Sequence, residues 1–174
     1  MFHIMVVEDD AELRDLFCAV LTERGYQPLP ASDGMEALDI LEHSYVDLII
    51  SDIMMPKMDG FTLTEQLRNA NYDMPILIIT ALDGLEDKRR GFRAGTDDYM
   101  VKPIDVNEMV WRVEALLRRS QINSERRITV GSTVLDCDSL TVSSDGTDTS
   151  LPQKESLLLF RLLSSMNRIF TRRQ

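Results

Sequence analysis

Glu8, Asp9, Asp10, Asp52, Thr80 and Lys102 are the residues whose types could do chemistry together. Each set closes an apolar, β-branched run: His3-Ile4-Met5-Val6-Val7, Asp47-Leu48-Ile49-Ile50-Ser51, Pro75-Ile76-Leu77-Ile78-Ile79 and Asp98-Tyr99-Met100-Val101. If Glu8, Asp9 and Asp52 lie within several ångströms, each pair of carboxylates about 4 Å apart repels by roughly 4 kcal/mol at an effective dielectric of about 20. Either a cation offsets that repulsion or one pKa must rise. Mg²⁺ suits the donors, because it takes one or two carboxylates, waters and phosphate oxygens. The chain offers no His or Cys cluster for a softer metal. With the charge offset, Asp52 is free to act as a nucleophile toward phosphorus and form an acyl phosphate. Lys102 can pair with the incoming phosphoryl group, and Thr80 can donate a hydrogen bond to it.

These groups converge only if the four runs are strands of one parallel sheet, where ligand-binding residues gather at the carboxyl ends. Unbroken apolar runs are the signature of strands covered on both faces. Between them lie stretches with the helical period: Leu13, Leu16, Phe17, Val20 and Leu21; Met35, Leu38 and Leu41; Val106, Met109, Val110, Val113, Leu116 and Leu117. Asp33 and Asp59 read as helix caps, and Arg24-Gly25, Asp33-Gly34, Asp59-Gly60 and Ala94-Gly95 as turns. Residues 1–119 therefore alternate strand and helix about five times. That implies an α/β fold: a doubly wound, five-stranded parallel sheet of flavodoxin type.

The pattern changes near residue 120. Residues 120–126 are polar and read as a linker, and residues 127–174 form a second segment. Short strands are expected at 128–130, 134–136, 140–143 and 147–150, with turns at Gly131-Ser132 and Asp145-Gly146. Pro152 stands early in a helix whose apolar positions are Leu158, Leu159, Leu162, Leu163 and Met166. Thr171 has the look of an N-cap. The net charge of −10 is uneven: residues 1–119 hold 23 acids and 12 bases, or −11, and residues 120–174 hold 6 acids and 7 bases, or +1. Such asymmetry hints at two domains with different tasks. No apolar stretch approaches the roughly 20 residues of a membrane span, and the start of the chain lacks the features of a secretory signal. Cys18 and Cys137 fit no metal or redox spacing, so a reduced cytoplasmic setting is expected. His3, His43 and Trp111 are read as surface or core residues without catalytic roles.

Residues 1–119 resemble the receiver domain of two-component response regulators. The resemblance rests on Val6-Val7-Glu8-Asp9, Asp52-Ile53-Met54-Met55-Pro56 with Asp59-Gly60, Thr80-Ala81, Gly95-Thr96-Asp97-Asp98-Tyr99 and Lys102-Pro103. It implies Asp52 as phosphoacceptor, with Asp9, Asp52 and the Met54 backbone carbonyl on Mg²⁺ and Glu8 acting through water. It also implies a cis Lys102–Pro103 bond and a switch in which Thr80 moves and Tyr99 turns inward. Lys88, Asp97, Asp98, Glu108, Arg112 and Arg119 resemble the dimer contacts of the OmpR/PhoB subfamily, on helix 4, strand 5 and helix 5. The implied cross-subunit pairs are Lys88 with Glu108, Asp98 with Arg112 and Asp97 with Arg119. Residues 127–173 are similar to the start of that subfamily's winged-helix effector, on Leu151-Pro152-Gln153-Lys154-Glu155, Leu157-Leu158-Leu159-Phe160 and Arg168-Ile169-Phe170-Thr171-Arg172. Two positions depart from the pattern: Ile104, where the family usually has Phe, and Ser156, where an apolar residue is usual.

The implied function is phosphorylation-controlled regulation of transcription, with a sensor histidine kinase, a homodimer and DNA as partners. Without the recognition helix and wing, the 174 residues are expected not to read DNA on their own. An alternative is a receiver without output that drains phosphate from a kinase or joins mixed dimers. An aspartyl-phosphate phosphohydrolase is disfavoured, because the general acid/base place two residues after Asp52 holds Met54. The protein is thus expected to be a regulator and not an enzyme. Met54 and Leu82 cannot orient an attacking water, so a long-lived phosphorylated state is expected.

Overall fold

A computed structural model describes residues 1–120, 127–144 and 146–163. The chain forms two compact units, Met1–Ile40 with Val46–Ile122 and Leu41–Tyr45 with Asn123–Gln174. In the first, β1 (His3–Val7), β2 (Gln27–Ala31), β3 (Leu48–Ser51), β4 (Ile76–Thr80) and β5 (Asp98–Val101) form a parallel sheet in the order β2-β1-β3-β4-β5. The connecting helices are α1 (Ala11–Glu23), α2 (Gly34–His43), α3 (Gly60–Asn69) and α4 (Leu85–Ala94), and α5 (Val106–Arg119) follows β5.

The central strands are apolar at nearly every position because helices cover both faces. Side chains alternate across a strand. Ile4, Val6, Leu48, Ile50, Leu77, Ile79 and Met100 share one face, packed with Phe17 and Leu21 of α1 and Met109, Val110, Val113, Leu116 and Leu117 of α5. Each such side chain contributes about 1.5–3 kcal/mol by leaving water. Buried Phe61, Leu63 and Leu67 of α3 belong to the rest of the core.

The edge strand β2 carries Pro28 and Pro30, which pair in register with Ile4 and Val6. The neighbouring residues make the ladder: Gln27 donates to the Phe2 carbonyl. The two prolines have no N–H to offer a further strand, which blunts this edge. The same prolines hide β2 from a reading of strand propensity. Two positions in the expected helical stripes are surface residues instead, since Leu16 and Met35 are about half exposed. Ala37 and Leu41 are the buried apolar side chains of α2.

In the second unit, β6 (Arg127–Val130), β7 (Thr133–Asp136), β8 (Thr141–Ser144) and β9 (Thr147–Ser150) form an antiparallel meander. Gly131 and Gly146 take positive φ at two of its turns, as tight hairpins require. Leu135, Cys137 and Leu140 are buried there, and Leu159, Phe160 and Leu163 of α6 (Gln153–Leu163) pack against them. Leu158 and Leu162, expected on the packed stripe of α6, are exposed instead. Residues 121–126, Asp145, Met166, the stretch 168–172 and Thr171 lie outside the described residues. No described helix is long and apolar enough to cross a membrane.

Candidate functional site

Register carries the reactive groups to one edge. The Asp52 amide donates to the Val7 carbonyl at 2.9 Å, which sets Asp52 beside the end of β1 and next to Glu8. The Lys102 amide donates to the Thr80 carbonyl at 2.8 Å, which ties the end of β5 to the end of β4. Glu8, Asp52 and Thr80 are buried, while Asp9 is exposed. The carboxylates of Glu8, Asp9 and Asp52 each offer an oxygen within 4.8 Å of the others. Asp10, in contrast, is the cap of α1, its side chain accepting from the Leu13 amide. Arg14 of that helix donates to the Glu8 carbonyl at 2.6 Å, fixing the acidic turn from below.

Lys102 bridges the buried acids, its Nζ lying 2.8 Å from Glu8 Oε2 and 2.7 Å from Asp52 Oδ2. Burial raises the Glu8 pKa, and the nearby Asp52 charge adds to the rise against the pull of Lys102. Burial alone would push the Lys102 ammonium down, but hydrogen bonds to Asp52 and Glu8 outweigh it, and its pKa is raised. One ammonium thus serves two crowded carboxylates, with Asp9 beside them. An all-oxygen donor set with excess negative charge fits a hard divalent cation such as Mg²⁺. Asp52 Oδ1 accepts from the Ile53 and Met54 amides, which leaves Oδ2 on the Lys102 side.

Gly60 explains why the loop after Asp52 must end in glycine. A Cβ there would lie 2.1 Å from the Asp52 carbonyl oxygen. The Ser51 hydroxyl donates to that same carbonyl at 2.8 Å. The backbone on both sides of Asp52 is therefore pinned.

The family model for the response regulator receiver domain matches residues 4–114. The chain belongs to that family. The chain is 40% identical over 174 residues to the heme response regulator HssR of Staphylococcus aureus (strain bovine RF122 / ET3-1), covering 100% of this chain and 77% of that protein. It is 39% identical over 172 residues to the HssR of Staphylococcus epidermidis (strain ATCC 12228 / FDA PCI 1200), covering 99% of this chain and 76% of that one. Among solved structures, the Francisella response regulator 1452 receiver domain matches with TM-score 0.67 and 35% identity, over 70% of this chain and 100% of its own. The chemotaxis response regulator CheY4 of Vibrio cholerae matches with TM-score 0.63 and 30% identity, over 67% of this chain and 98% of its own.

In this receiver the Lys102–Pro103 bond is cis. The Tyr99 hydroxyl donates to the Leu82 carbonyl at 2.9 Å, two residues after Thr80, so the aromatic is tied to the loop that follows Thr80. Burial, then the charges of Asp87, Asp52 and Asp83, push its phenol up to about 12. A cleft of about 380 Å³ opens beside the site, lined in part by Met54, Leu82 and Phe61. Ile104 is half-buried and packs against the α1–α5 core.

Four of the residues expected at a subunit boundary, Asp97, Asp98, Glu108 and Arg112, have partners within the receiver itself. Arg112 bonds Asp98 at 2.8 Å and Glu108 at 2.7 Å. Asp97 pairs with Arg68 at 2.8 Å and also accepts from the Ile76 amide. Arg119 is exposed near the end of α5. Arg68 escaped the sequence reading. Its guanidinium also bonds the carbonyls of Gly95, Tyr72 and Met74, stapling the loops that lead into β4 and β5. A basic residue in the last turn of α3 was its only signal.

Proposed function

We propose that this receiver accepts a phosphoryl group on Asp52 from the phosphohistidine of a sensor kinase. Asp52 Oδ2 attacks phosphorus, the P–N bond to the histidine breaks as the P–O bond forms, and the imidazole leaves with the bonding pair. Glu8, Asp9, Asp52 and the Met54 backbone carbonyl would hold Mg²⁺, which supplies neutralisation of phosphoryl oxygen charge. Lys102 follows the charge, exchanging part of its contact with Asp52 for the phosphoryl oxygens. Thr80 donates its hydroxyl to that group, and the shift reaches α4 through Leu82 and Tyr99. The observation that carries this reading is the Lys102 bridge across Glu8 and Asp52, beside Asp9, at the end of the parallel sheet.

The proposed output is dimerisation through α4, β5 and α5, with regulation of transcription in the cytoplasm as its consequence. Lys88, Asp97, Asp98, Glu108, Arg112 and Arg119 are the proposed dimer residues. Because Asp98, Glu108 and Asp97 already have partners within the chain, cross-subunit pairing is an exchange or sharing of those ions and sets geometry more than affinity. Exposed Leu85 and Phe92 on α4 add apolar area to that face. The names of the relatives make haem the first stimulus to test on a cognate kinase.

The test is intact mass after incubation with acetyl phosphate and Mg²⁺. The wild-type chain gains one phosphoryl group, and Asp52→Asn gains none. A gain in Asp52→Asn equal to the wild type refutes the assignment.

A further inference from the structure

The loop from Asp52 to Asp59 carries the Met54 carbonyl, and it is fastened at a point away from the acid cluster. Lys57 takes a left-handed conformation, φ 61°. Its ammonium reaches the first turn of α2, where Nζ lies 2.6 Å from Asp33 Oδ2. Asp33 is buried, and its other oxygen accepts from the Met35 and Glu36 amides at 2.9 and 3.0 Å. The carboxylate is thus a junction with the helix start on one side and the loop on the other. The hydrogen bond from Lys57, with those amides, holds the Asp33 pKa below the ordinary range.

A second contact lies beside the first. Met58 is buried against Gly34, where an added Cβ would sit 2.7 Å from Met58 Cγ. The strand before α2 is in turn tied to the acid turn, since the Glu8 amide donates to the Ala31 carbonyl at 3.1 Å. A continuous path therefore runs from the Glu8–Asp9 turn through Ala31 and Asp33 to Lys57 and the loop that follows Asp52.

We propose that Lys57 is a positioning residue for the cation site: its ion pair with Asp33 fixes the loop bearing the Met54 carbonyl relative to Glu8 and Asp9. The lysine touches neither the acid cluster nor the phosphoryl group, so it acts by preorganisation. Removing it lets the loop sample other positions, and the cation must then order the loop on binding. The expected signature is weaker cation affinity with an unchanged rate of Asp52 phosphorylation at saturating Mg²⁺. Because the ammonium is largely exposed, salt screens the effect. This inference rests on the proposed function.

The test is calorimetric titration of the whole chain with Mg²⁺ alone, for wild type, Lys57→Met and Lys57→Arg. Methionine keeps the stem and backbone preference but removes the charge, and arginine keeps the charge. Lys57→Met is expected to weaken Mg²⁺ binding roughly two- to fivefold, within the range of a partly exposed ion pair. Lys57→Arg recovers most of that, high salt narrows the gap between wild type and Lys57→Met, and the saturated acetyl phosphate rate stays within twofold. Equal affinities for wild type and Lys57→Met overturn the proposal, as does a weakening that Lys57→Arg does not recover or a loss confined to the saturated rate. If the wild type takes up no Mg²⁺ and no phosphoryl group, the proposed function falls and this inference with it.

Discussion

Strands β3 and β4 of the receiver are buried at every position, whereas β9 of the second unit is exposed at every position. The receiver encloses its sheet between helices, so its strands carry almost continuous Ile, Leu and Val. The second unit uses four-residue strands in which Thr, Ser and Asp alternate with a few apolar residues, and Leu135, Cys137 and Leu140 are buried there. A sheet covered on both faces can hold Glu8, Asp52 and Lys102 in partial desolvation, where their charges interact strongly. A thin sheet with one packed face gives little such shelter. The contrast favours the first unit as the place for the proposed chemistry.

The largest effect that would sharpen this contrast is expected from Lys102→Met. Without the ammonium, Glu8 and Asp52 face each other uncompensated in a buried place, a loss of about 3–5 kcal/mol. Urea unfolding measures it, and intact mass should show phosphorylation of Asp52 reduced at least tenfold. The penalty has a sign in pH. Burial raises the Glu8 pKa, so protonation relieves the repulsion at a less acid pH than for an ordinary glutamate, and the difference from wild type shrinks as pH falls through that raised pKa. Added Mg²⁺ should recover part of the lost stability. A variant as stable as the wild type at neutral pH would break the claim that the site is strained by its own charge.

Next comes a matched pair of cavities. Leu77→Ala in β4 is expected to cost the receiver about 2–5 kcal/mol, with the loss felt across the sheet. Leu135→Ala removes the same atoms from β7, where the affected core is small. Hydrogen exchange should show its damage in β6–β9, α6 and the Leu41–Tyr45 stretch, whose Tyr45 shares that buried cluster, with Asp52 phosphorylated at the wild-type rate. Equal loosening of β3 and β4 by Leu135→Ala would refute the assignment of Leu135 to a small core of its own.

The same contrast explains what could be read from the amino-acid order. Runs such as Ile76-Leu77-Ile78-Ile79 announce buried strands because packing on both faces admits little else, and the reactive residues follow directly at the ends of those runs. Asp52, Thr80 and Lys102 were legible for that reason. The strand β2 was not, because Pro28 and Pro30 trade propensity for a blunt edge. Leu16, Met35, Leu158 and Leu162 keep helical spacing yet face outward, since periodicity gives a stripe but not its width. The Lys57–Asp33 and Arg68–Asp97 pairs join residues 24 and 29 positions apart, and no local pattern marks them. Asp33 and Asp59 read alike as caps, although only Asp33 holds a lysine as well. Pairings within the chain for Asp98 and Arg112 were hidden because a subunit boundary and a single chain use the same charges.

A smaller effect is expected at Ser156, which is buried in the second unit with its hydroxyl 3.8 Å from Cys137 Sγ. A thiol sulfur is a weak acceptor, so the hydroxyl gains little for its lost water. Ser156→Ala should change the stability of that unit by no more than about 1 kcal/mol, read by thermal unfolding. A loss of several kcal/mol would mean that this small core depends on a polar contact.

An effect of similar size belongs to Tyr99, whose phenol is pushed up to about 12 while donating to the Leu82 carbonyl. The folded state favours the protonated ring, so its contribution is full below the unfolded value near 10 and is lost as pH rises toward 12. Ultraviolet titration of the wild type should show a phenolate transition at the alkaline end that Tyr99→Phe lacks. At neutral pH Tyr99→Phe keeps the ring against Gly91 and removes only the hydrogen bond, costing about 0.5–1.5 kcal/mol. If the proposed relay from Thr80 to α4 runs through this hydroxyl, Tyr99→Phe takes up phosphate at the wild-type rate, yet phosphorylation no longer shifts the α4 amide resonances. Unchanged shifts would separate the ring from the relay and leave the Leu82 carbonyl as a resting contact only.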